Sequence, residues 1–400
     1  SHNTVVVDDG PTAGSPGGKL HLFSEALPLR VMDVSSPNAY EGLKTYRRTL
    51  ALVDVSDTDS YVLDVFRVRG GSTHRLSYHG PAEAASVEGL DLQRQSEGTY
   101  AGPDVPFAQL DDRLRRSGHS YLYSVERSSG VVDGGFTVDW KAEDLRGRIA
   151  EGAEPHLRLH ALTSCDEVAL ASGDPPQNKT GNPRRLRYLL QSRTGEEAES
   201  QFVTLIEPYD RMPLIESVRR LEVSHQGDPS SVAAVSVGHA DGATDILISC
   251  EEPTEVAVEG GIEFDGQIGM VRMSGGEVTA MRMVNGRRLS VHGIALTSEQ
   301  AAYTGRVERI DTSDPADQRV ALDPPLPDNA DLVGQTIHFQ NDVPWDTTYD
   351  IQAISDGIIS TGDLTLIRGF VDRSDFSAGH TYLVNPGDRY IVPLTASLDR

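Results

Sequence analysis

The feature that most constrains the fold is a succession of short segments rich in β-branched and aromatic residues, separated by turn residues, along nearly the whole chain. One segment, Tyr61 to Val68 (YVLDVFRV), ends at Gly70-Gly71, and Thr45 to Val55 is predicted to be its hairpin partner. Helical signals are few, and Ala108 to Ser117 (AQLDDRLRRS) is the clearest, with two or three turns at most. Short strands with turn chemistry between them predict an all-β antiparallel sandwich.

Turn residues also mark hairpins in the second half of the chain. Ser274-Gly275-Gly276 and Asn285-Gly286 each separate two strand-like segments. Asn-Gly is a strong hairpin signal, because both central positions of the tight turn favour positive φ. A further set of short strands follows near residue 295, around a stretch rich in Pro and Asp at 311–331. We therefore expect a large antiparallel β-sandwich (a supersandwich) over residues 1–295 and a small β accessory domain over 296–400.

The charge balance excludes some classes of partner. The chain has 400 residues, with 36 Lys and Arg against 60 Asp and Glu, a net charge of -24. Such a field repels nucleic acid and anionic membranes, so we expect neither as a partner, and any site for a polyanion must be a local basic exception. No apolar run approaches the ~18 residues that a membrane-spanning helix needs.

Two cysteines, Cys165 and Cys250, lie far apart in the sequence. No CxxC or Cys/His zinc spacing is present, which argues against a thiolate metal site. The two residues could pair in an exported protein, but two separate buried thiols are at least as consistent with the sequence.

Histidine and tyrosine side chains are the main candidates for chemistry, since the chain has no GxSxG, HExxH, P-loop or dinucleotide motif. His74, Tyr78 and His79 lie in THRLSYHG, where Tyr78 beside His79 could serve acid/base catalysis. An odd separation puts His74 and His79 on opposite faces of an extended strand, which argues against a metal site that uses both. The residue pattern alone favours a structural role for them. His156 and His160 share a strand face, but are about ~13 Å apart at a strand rise of ~3.3 Å, too far to bind one ion.

The chain opens with Ser1-His2-Asn3-Thr4 and continues directly into Val5-Val6-Val7, with no initiator Met, basic n-region or apolar h-region. We expect a processed chain or a fragment of a longer one. His2 is either a metal or active-site ligand at the entrance to a strand, or a terminal histidine without a function.

Three stretches resemble the heparinase II/III-like polysaccharide lyases, and the order and spacing of these stretches along the chain carry the resemblance. They are the opening SHNTVVVDD, the long segment YRRTLALVDVSDTDSYVLDVFRVRGGSTHRLSYHG and FVTLIEPY at 202–209. The similarity covers roughly residues 1–290, with weaker similarity beyond. It implies a β-sandwich that acts with an upstream helical (α/α) toroid to cleave uronate-containing polysaccharides by β-elimination. In such a reaction the uronate carboxylate is neutralised so that a base can remove the C5 proton.

The resemblance also implies that the principal catalytic Asn, His and Tyr lie upstream of this chain. The chain alone is then expected to be inactive, with the toroid domain or a second chain, and an acidic polysaccharide, as its partners. By the same likeness His2 corresponds to one ligand of a structural zinc whose other ligands also lie upstream. Arg75 departs from the acidic residue that is commoner after the first histidine of THRLSYHG, which weakens any role copied onto His74.

Substrates consistent with this resemblance are alginate, hyaluronan, heparin-like chains and ulvan-type polymers, and the expected location is secreted or periplasmic in a bacterium. The alternatives are a carbohydrate-binding module that does not cut its ligand and a structural module that supports a helical barrel. Exposed aromatic residues would favour binding, and the candidates for stacking on sugars are Trp140, Trp345, Tyr121 and Tyr123. For most of these four residues, a buried position in the core is the preferred interpretation.

Overall fold

The computed structural model describes residues 3–14, 17–36, 38–109, 118–175, 181–341 and 347–400. Within these ranges the chain is all-β, with no α-helix and with every strand pairing antiparallel. Most of the predicted helix Ala108–Ser117 lies outside the described residues.

The first fourteen strands of the described residues fall in the N-terminal half of the chain. They are β1 (Val5–Val7), β2 (Lys19–Ser24), β3 (Leu29–Ser35), β4 (Thr45–Asp54), β5 (Ser60–Arg69), β6 (Thr73–His79), β7 (Ala85–Glu88), β8 (Leu92–Arg94), β9 (Leu122–Ser128), β10 (Phe136–Lys141), β11 (Pro155–Ala161), β12 (Glu167–Gly173), β13 (Leu186–Thr194) and β14 (Glu199–Asp210).

The remaining strands follow in the C-terminal half. They are β15 (Ile215–Arg220), β16 (Val223–His225), β17 (Val232–His239), β18 (Ala243–Val258), β19 (Ile262–Ser274), β20 (Glu277–Val291), β21 (Ile294–Thr297), β22 (Ala302–Asp311), β23 (Gln318–Asp323), β24 (Thr336–Gln340), β25 (Thr347–Asp350), β26 (Ala353–Ser355), β27 (Ile358–Gly362), β28 (Ile367–Phe370), β29 (His380–Tyr382), β30 (Arg389–Pro393) and β31 (Thr395–Asp399). Four short 3₁₀ turns interrupt them at His119–Tyr121, Pro229–Ser231, Ala330–Leu332 and Phe376–Ala378.

These strands build four larger sheets and one small hairpin. Sheet 1 has the order β1-β6-β13-β12-β9-β8, and sheet 2 has the order β2-β3-β4-β5-β14-β11-β10-β7. Sheet 3 has the order β15-β17-β18-β19-β20-β21, with β16 beside β18 and β31 beside β20. Sheet 4 has the order β25-β24-β30-β22-β23-β27-β26, and β28 pairs with β29.

Sheets 1, 2 and 3 stack as layers, because the strands of sheet 2 are apolar on both faces. Leu76 of sheet 1 packs in one buried cluster with Phe66 and Trp140 of sheet 2. On the other side of sheet 2, Leu63 packs in a second cluster with Leu247 of sheet 3. The predicted antiparallel β-sandwich is therefore confirmed, as three layers rather than two.

Two of the predicted hairpins are confirmed, and one is wrong. Strands β4 and β5 pair as expected, and Gly275-Gly276, both at positive φ, join β19 to β20. At Asn285-Gly286, however, the chain does not turn but continues through β20 as a bulge opposite Gly266. Asn285 has φ of 51°, its side chain donates to Gln267, and its backbone N–H donates to Leu394. Tertiary partners thus use the positive φ that the sequence offered for a turn.

The C-terminal region has a core of its own within sheet 4, built around Ile337, Phe339 and Tyr390. The boundary near residue 295 stays a prediction. After β30 the chain leaves sheet 4. Its last strand, β31, pairs along β20 from Val284 to Ala280, which returns the end of the chain to sheet 3.

The two cysteines are both free and buried, Cys165 in the core between sheets 1 and 2 and Cys250 in the core of sheet 3. Of the two alternatives, the structure shows two separate buried thiols and not a disulfide. No helix of the described residues is long and apolar enough to cross a bilayer.

Candidate functional site

Two stretches of the sequence that lie far apart meet at one edge of sheet 1. β1 pairs with β6 in the register Val5↔Leu76 and Val7↔His74. Directly after β1, the carboxylate of Asp8 accepts hydrogen bonds from the backbone N–H groups of Ser72 and Thr73, both at 2.8 Å. The opening segment is therefore fixed to the turn that precedes β6.

The backbone at Asp8 and Asp9, directly after β1, is strained, and this turn sets the position of the Asp9 side chain. Asp8 and Asp9 have φ of 50° and 54°, a left-handed conformation that is uncommon for residues other than Gly. This turn brings the carboxylate of Asp9 against the guanidinium of Arg75 and to 3.2 Å from Nδ1 of His119. Strained residues persist where the surroundings hold them, and they concentrate at functional sites.

Two adjoining cavities lie on the outer face of sheet 1, which we call the groove. The first has a volume of about 210 Å³ and is lined by Asp9, Tyr100, Arg127 and Glu167, among others. The second has a volume of about 360 Å³, within the usual range for ligand sites. Arg75 and His119 line both cavities, so the ion pair of Arg75 with Asp9 lies where the two meet.

Arg127 is held rigidly in the wall of the first cavity. Its Nε donates to Gln95 at 2.9 Å, Nη1 to Glu167 at 2.6 Å and Nη2 to the carbonyl of Tyr100 at 2.7 Å. Its guanidinium also lies over the Tyr100 ring, 4.7 Å from the centroid. All three nitrogen atoms thus have acceptors, and the contribution of Arg127 is its positive charge and the shape of the wall.

The electrostatics of the groove keep Asp9 ionised. Burial raises the pKa of Asp9, but the hydrogen bond from His119 and the charge of Arg75 outweigh it and lower the pKa to about 2. Burial lowers the pKa of His119, against the opposing effect of Asp9. A neutral His119 that donates from Nδ1 to Asp9 fits both directions.

Aromatic side chains lie at the end of the groove beyond His119. Tyr121 lines the second cavity and is 42 % exposed, and Phe107 is 53 % exposed. The Phe107 ring makes edge contacts with Tyr121 and Tyr123, at centroid distances of 5.8 and 5.6 Å. Of the aromatic candidates for stacking on sugars, Trp140 occupies the alternative position, fully buried in the core, and Trp345 lies outside the described residues.

The catalytic candidates of the sequence are not brought together at one surface. His74 is fully buried between sheets 1 and 2, where its Nε2 donates to the Gly70 carbonyl and its Nδ1 accepts from the Ser200 hydroxyl, both at 2.7 Å. Burial lowers the pKa of His74, consistent with a neutral ring. This environment favours the structural role.

Tyr78 faces the same interior as His74. Its hydroxyl contacts the carboxylate of Asp64, which Arg48 also binds at 2.9 Å through Nε. Burial first, and then the charge of Asp64, raise the pKa of Tyr78 well above its ordinary value, so Tyr78 is unsuited to act as a base there.

His79 lies on the opposite, outer face of β6, as the odd separation predicted. Its ring makes an edge contact with Tyr188, at a centroid distance of 5.3 Å, and its Nδ1 is 3.2 Å from the Gly80 carbonyl. Since Tyr188 lines the second cavity, His79 contacts a residue of the groove.

The zinc prediction rests on His2, which lies outside the described residues. Within the described residues, no group of three or more His, Cys, Asp or Glu side chains is arranged to hold a metal ion. The part of the chain that is described therefore supplies no complete zinc site.

A polar cluster on sheet 2 was missed by the sequence interpretation. Asp139 accepts from His156 at 2.6 Å, from Arg158 at 3.1 Å and from the hydroxyl of Tyr209 at 2.5 Å. His156 stacks on the Tyr209 ring, and Arg158 also lies over it, so both partners cover that ring. These mutual hydrogen bonds and ring contacts among Asp139, His156, Arg158 and Tyr209 favour a structural role. His160 pairs separately with Glu207 at 3.1 Å, so the two histidines do not bind a common ligand.

No protein-family model matches this chain, and no curated protein matches it. Among solved structures, heparinase III aligns with a TM-score of 0.38 at 14% identity, over 62% of this chain and 29% of that chain. A heparan sulfate lyase HepC mutant from Pedobacter heparinus aligns with a TM-score of 0.33 at 12% identity, over 62% of this chain and 30% of that chain. This chain spans less than a third of the length of either protein, and similarity at this level establishes no family membership.

Proposed function

We propose that this chain is the β-sandwich portion of a polysaccharide lyase that cleaves uronate-containing acidic polysaccharides by β-elimination, together with an upstream helical (α/α) toroid. The proposal rests on the three sequence stretches that resemble heparinase II/III-like lyases. The observation that carries it is that two of these stretches pair as β1 and β6 and form one wall of the groove at Arg75 and Asp9.

In the proposed reaction the C5–H bond and the C4–O glycosidic bond of a uronate break, and a C4=C5 double bond forms. The C5 proton goes to a base, and the leaving oxygen receives a proton. Upstream residues are proposed to carry out both proton transfers. The described residues contribute the binding surface, where positive charge at Arg75 and Arg127 stabilises the carboxylate and exposed rings contact the sugar.

The zinc is part of the proposal and not of the reaction. His2 is proposed as one ligand of a structural zinc, completed by residues upstream of this chain or by another polypeptide. The site would fix the opening segment against its neighbours, and no chemical step depends on it. Elemental analysis of the assembled enzyme should detect zinc, and its loss in a His2→Ala variant would identify the ligand. We also propose that the enzyme is secreted or periplasmic.

Formation of unsaturated uronate, measured by ultraviolet absorbance, tests the lyase proposal. Alginate, hyaluronan, heparin and ulvan would each be incubated with this chain alone and with the chain plus its upstream region. We expect product only when the upstream region is present. Product from this chain alone would place the catalytic groups within it, with His79 the first to substitute.

The second candidate function is a carbohydrate-binding module that does not cut its ligand. The exposed rings of Phe107 and Tyr121 beside the groove favour it, because aromatic faces stack on the apolar faces of sugars. Glycan binding with no unsaturated product, even with the upstream region present, would establish this function in place of the lyase.

A further inference from the structure

Arg75 differs from the other arginine of the groove in how much of its guanidinium is engaged. Within the described residues Arg75 pairs with Asp9, through Nη1. Arg127, by contrast, uses all three of its nitrogen atoms on protein acceptors. Arg75 therefore keeps Nε and Nη2 for a further acceptor, at the point where both cavities meet.

Asp9 holds the guanidinium of Arg75 through one nitrogen and leaves its other N–H groups for a ligand. The carboxylate binds one edge of the guanidinium, and it is itself held by His119 at 3.2 Å and by the strained backbone at Asp8 and Asp9. A guanidinium presents five N–H groups in a planar fork, which can take a second carboxylate by two parallel hydrogen bonds. A guanidinium prepositioned in this way loses little side-chain entropy when a ligand binds.

We propose that Arg75 is the carboxylate-binding residue of the groove and selects a uronate over a neutral sugar, while Asp9 positions its guanidinium. This inference rests on the proposed function for the identity of the ligand, but it concerns binding and not cleavage. The sugar that Arg75 binds occupies the junction of the two cavities. The next sugar along the second cavity lies toward Tyr121 and Phe107, whose exposed rings take its apolar face.

The charge of the groove supports a carboxylate rather than a more highly charged group. In the first cavity, Arg75 and Arg127 bring two positive charges and Asp9 and Glu167 bring two negative charges, while Asp174 adds a negative charge to the second cavity. One added carboxylate leaves the first cavity with a single net negative charge, next to a neutral His119 that lines both cavities. A cluster of phosphates or sulfates would meet the repulsion of Asp9 and Glu167 without enough compensating cations.

Calorimetric titration of this chain with tetrasaccharides of alginate and hyaluronan tests the proposal, with the carboxyl-reduced form of each as the neutral comparison. We expect the wild-type chain to bind at least one native tetrasaccharide about tenfold or more tightly than its reduced form. Arg75→Gln should abolish this preference, and Arg75→Lys should keep only part of it, because Lys lacks the planar fork. Asp9→Asn should reduce the preference for the native form, because the guanidinium of Arg75 then loses the carboxylate that positions it.

The matched control is Arg94→Gln, which removes an exposed arginine at the end of β8 in the same sheet, outside both cavities. We expect it to bind as the wild type does. Thermal unfolding of each variant verifies the fold, and Arg75→Lys serves as the test if Arg75→Gln does not fold. Equal affinity for native and reduced sugars in the wild type, or an unchanged preference in both Arg75 variants, would overturn the proposal.

The outcome for binding is separable from the outcome for cleavage. A carboxylate preference that depends on Arg75, without unsaturated product under any condition, would support the binding site and reject the lyase. Product formation with the upstream region present, at an unchanged KM in Arg75→Gln, would support the lyase and reject the role of Arg75. Heparin adds a further arm, because carboxyl reduction leaves its sulfate esters in place. A reduced heparin that still binds through Arg75 would overturn the assignment to a carboxylate.

Discussion

Gly80, at the end of the THRLSYHG stretch, permits a close approach between sheets 1 and 2, and its replacement by Ala gives a sharp test of the fold. A Cβ at this position would lie 2.3 Å from Cγ and 2.4 Å from Cδ2 of Trp140. Real Cβ atoms do not approach other heavy atoms this closely, so the indole would have to move. Trp140 is fully buried and donates from Nε1 to the Arg187 carbonyl at 3.1 Å, which leaves it little room to do so.

We expect Gly80→Ala to lower the free energy of unfolding by about 1–3 kcal/mol, the usual cost of overpacking a core. The backbone at Gly80 has no positive φ, so this cost measures the steric contact alone. Gly130→Ala is the matched control, because nothing lies within 4 Å of a Cβ there and its φ is also ordinary. It should be neutral or stabilise slightly, since Ala restricts the unfolded chain.

The assay is urea-induced unfolding followed by circular dichroism. The urea concentrations at the unfolding midpoint are compared between variants that have the same m-value. A double-mutant cycle with Trp140→Ala isolates the contact. Removing the indole costs about 3–5 kcal/mol by itself, but it gives space to the methyl group added at Gly80. The two changes together should cost about 1–2 kcal/mol less than the sum of each alone. A Gly80→Ala variant as stable as Gly130→Ala, or strictly additive costs in the cycle, would refute the reasoning.

Three further predictions concern other parts of the chain. His74→Phe should lower the free energy of unfolding by about 1–3 kcal/mol, because it leaves a buried hydroxyl and a buried carbonyl without partners; unchanged stability in urea unfolding would contradict the structural role. Ala396→Pro should lower the calorimetric unfolding temperature, because Ala396 lies in the hydrogen-bonding register opposite Met283 and Pro removes its backbone donor from the pairing of β31 with β20; an unchanged temperature would mean that this pairing contributes little. Since the pKa of Asp9 is lowered from 3.8 to about 2, its ionised form stabilises the folded chain above pH 4. The difference in unfolding free energy between wild type and Asp9→Asn should therefore be constant above pH 4 and shrink as pH falls toward 2; a difference that persists at pH 2 would exclude this coupling.

The strands were largely predictable because their signal is local. Alternating and β-branched residues mark a strand wherever it lies, and the Gly275-Gly276 turn follows from backbone sterics alone. Asn285-Gly286 shows where local reasoning fails. The positive φ at Asn285 is real, but Gln267 and Leu394 bind that residue from other strands and keep the chain extended.

The groove was not predictable, because its residues come from separate parts of the chain. No spacing in the sequence links Asp9, Arg75 and Arg127. Only the order of sheet 1, where β1 pairs with β6 and β6 is joined to β9 through β13 and β12, brings them to one cavity with His119. Strand periodicity correctly placed His74 and His79 on opposite faces. It could not say which face is interior, since that depends on the sheet that packs against β6. The one sequence signal for the groove was Arg75 itself, an unexpected positive charge within the THRLSYHG stretch.

The overall charge makes the salt dependence of binding a direct test of where an acidic polysaccharide binds. A net charge of -24 repels a polyanion over distances up to the Debye length, about 10 Å at 0.1 M salt, and added salt screens this repulsion. The same salt weakens the contact with Arg75, because each neutralised anion releases about one counterion. Among the described residues of the groove, only the guanidinium of Arg75 has N–H groups left for a ligand. The two effects of salt therefore oppose each other, and the affinity should change little between 0.05 and 0.2 M salt. A loss of about a hundredfold or more over this range would require several ion pairs, and would mean that a basic surface other than the groove carries the binding.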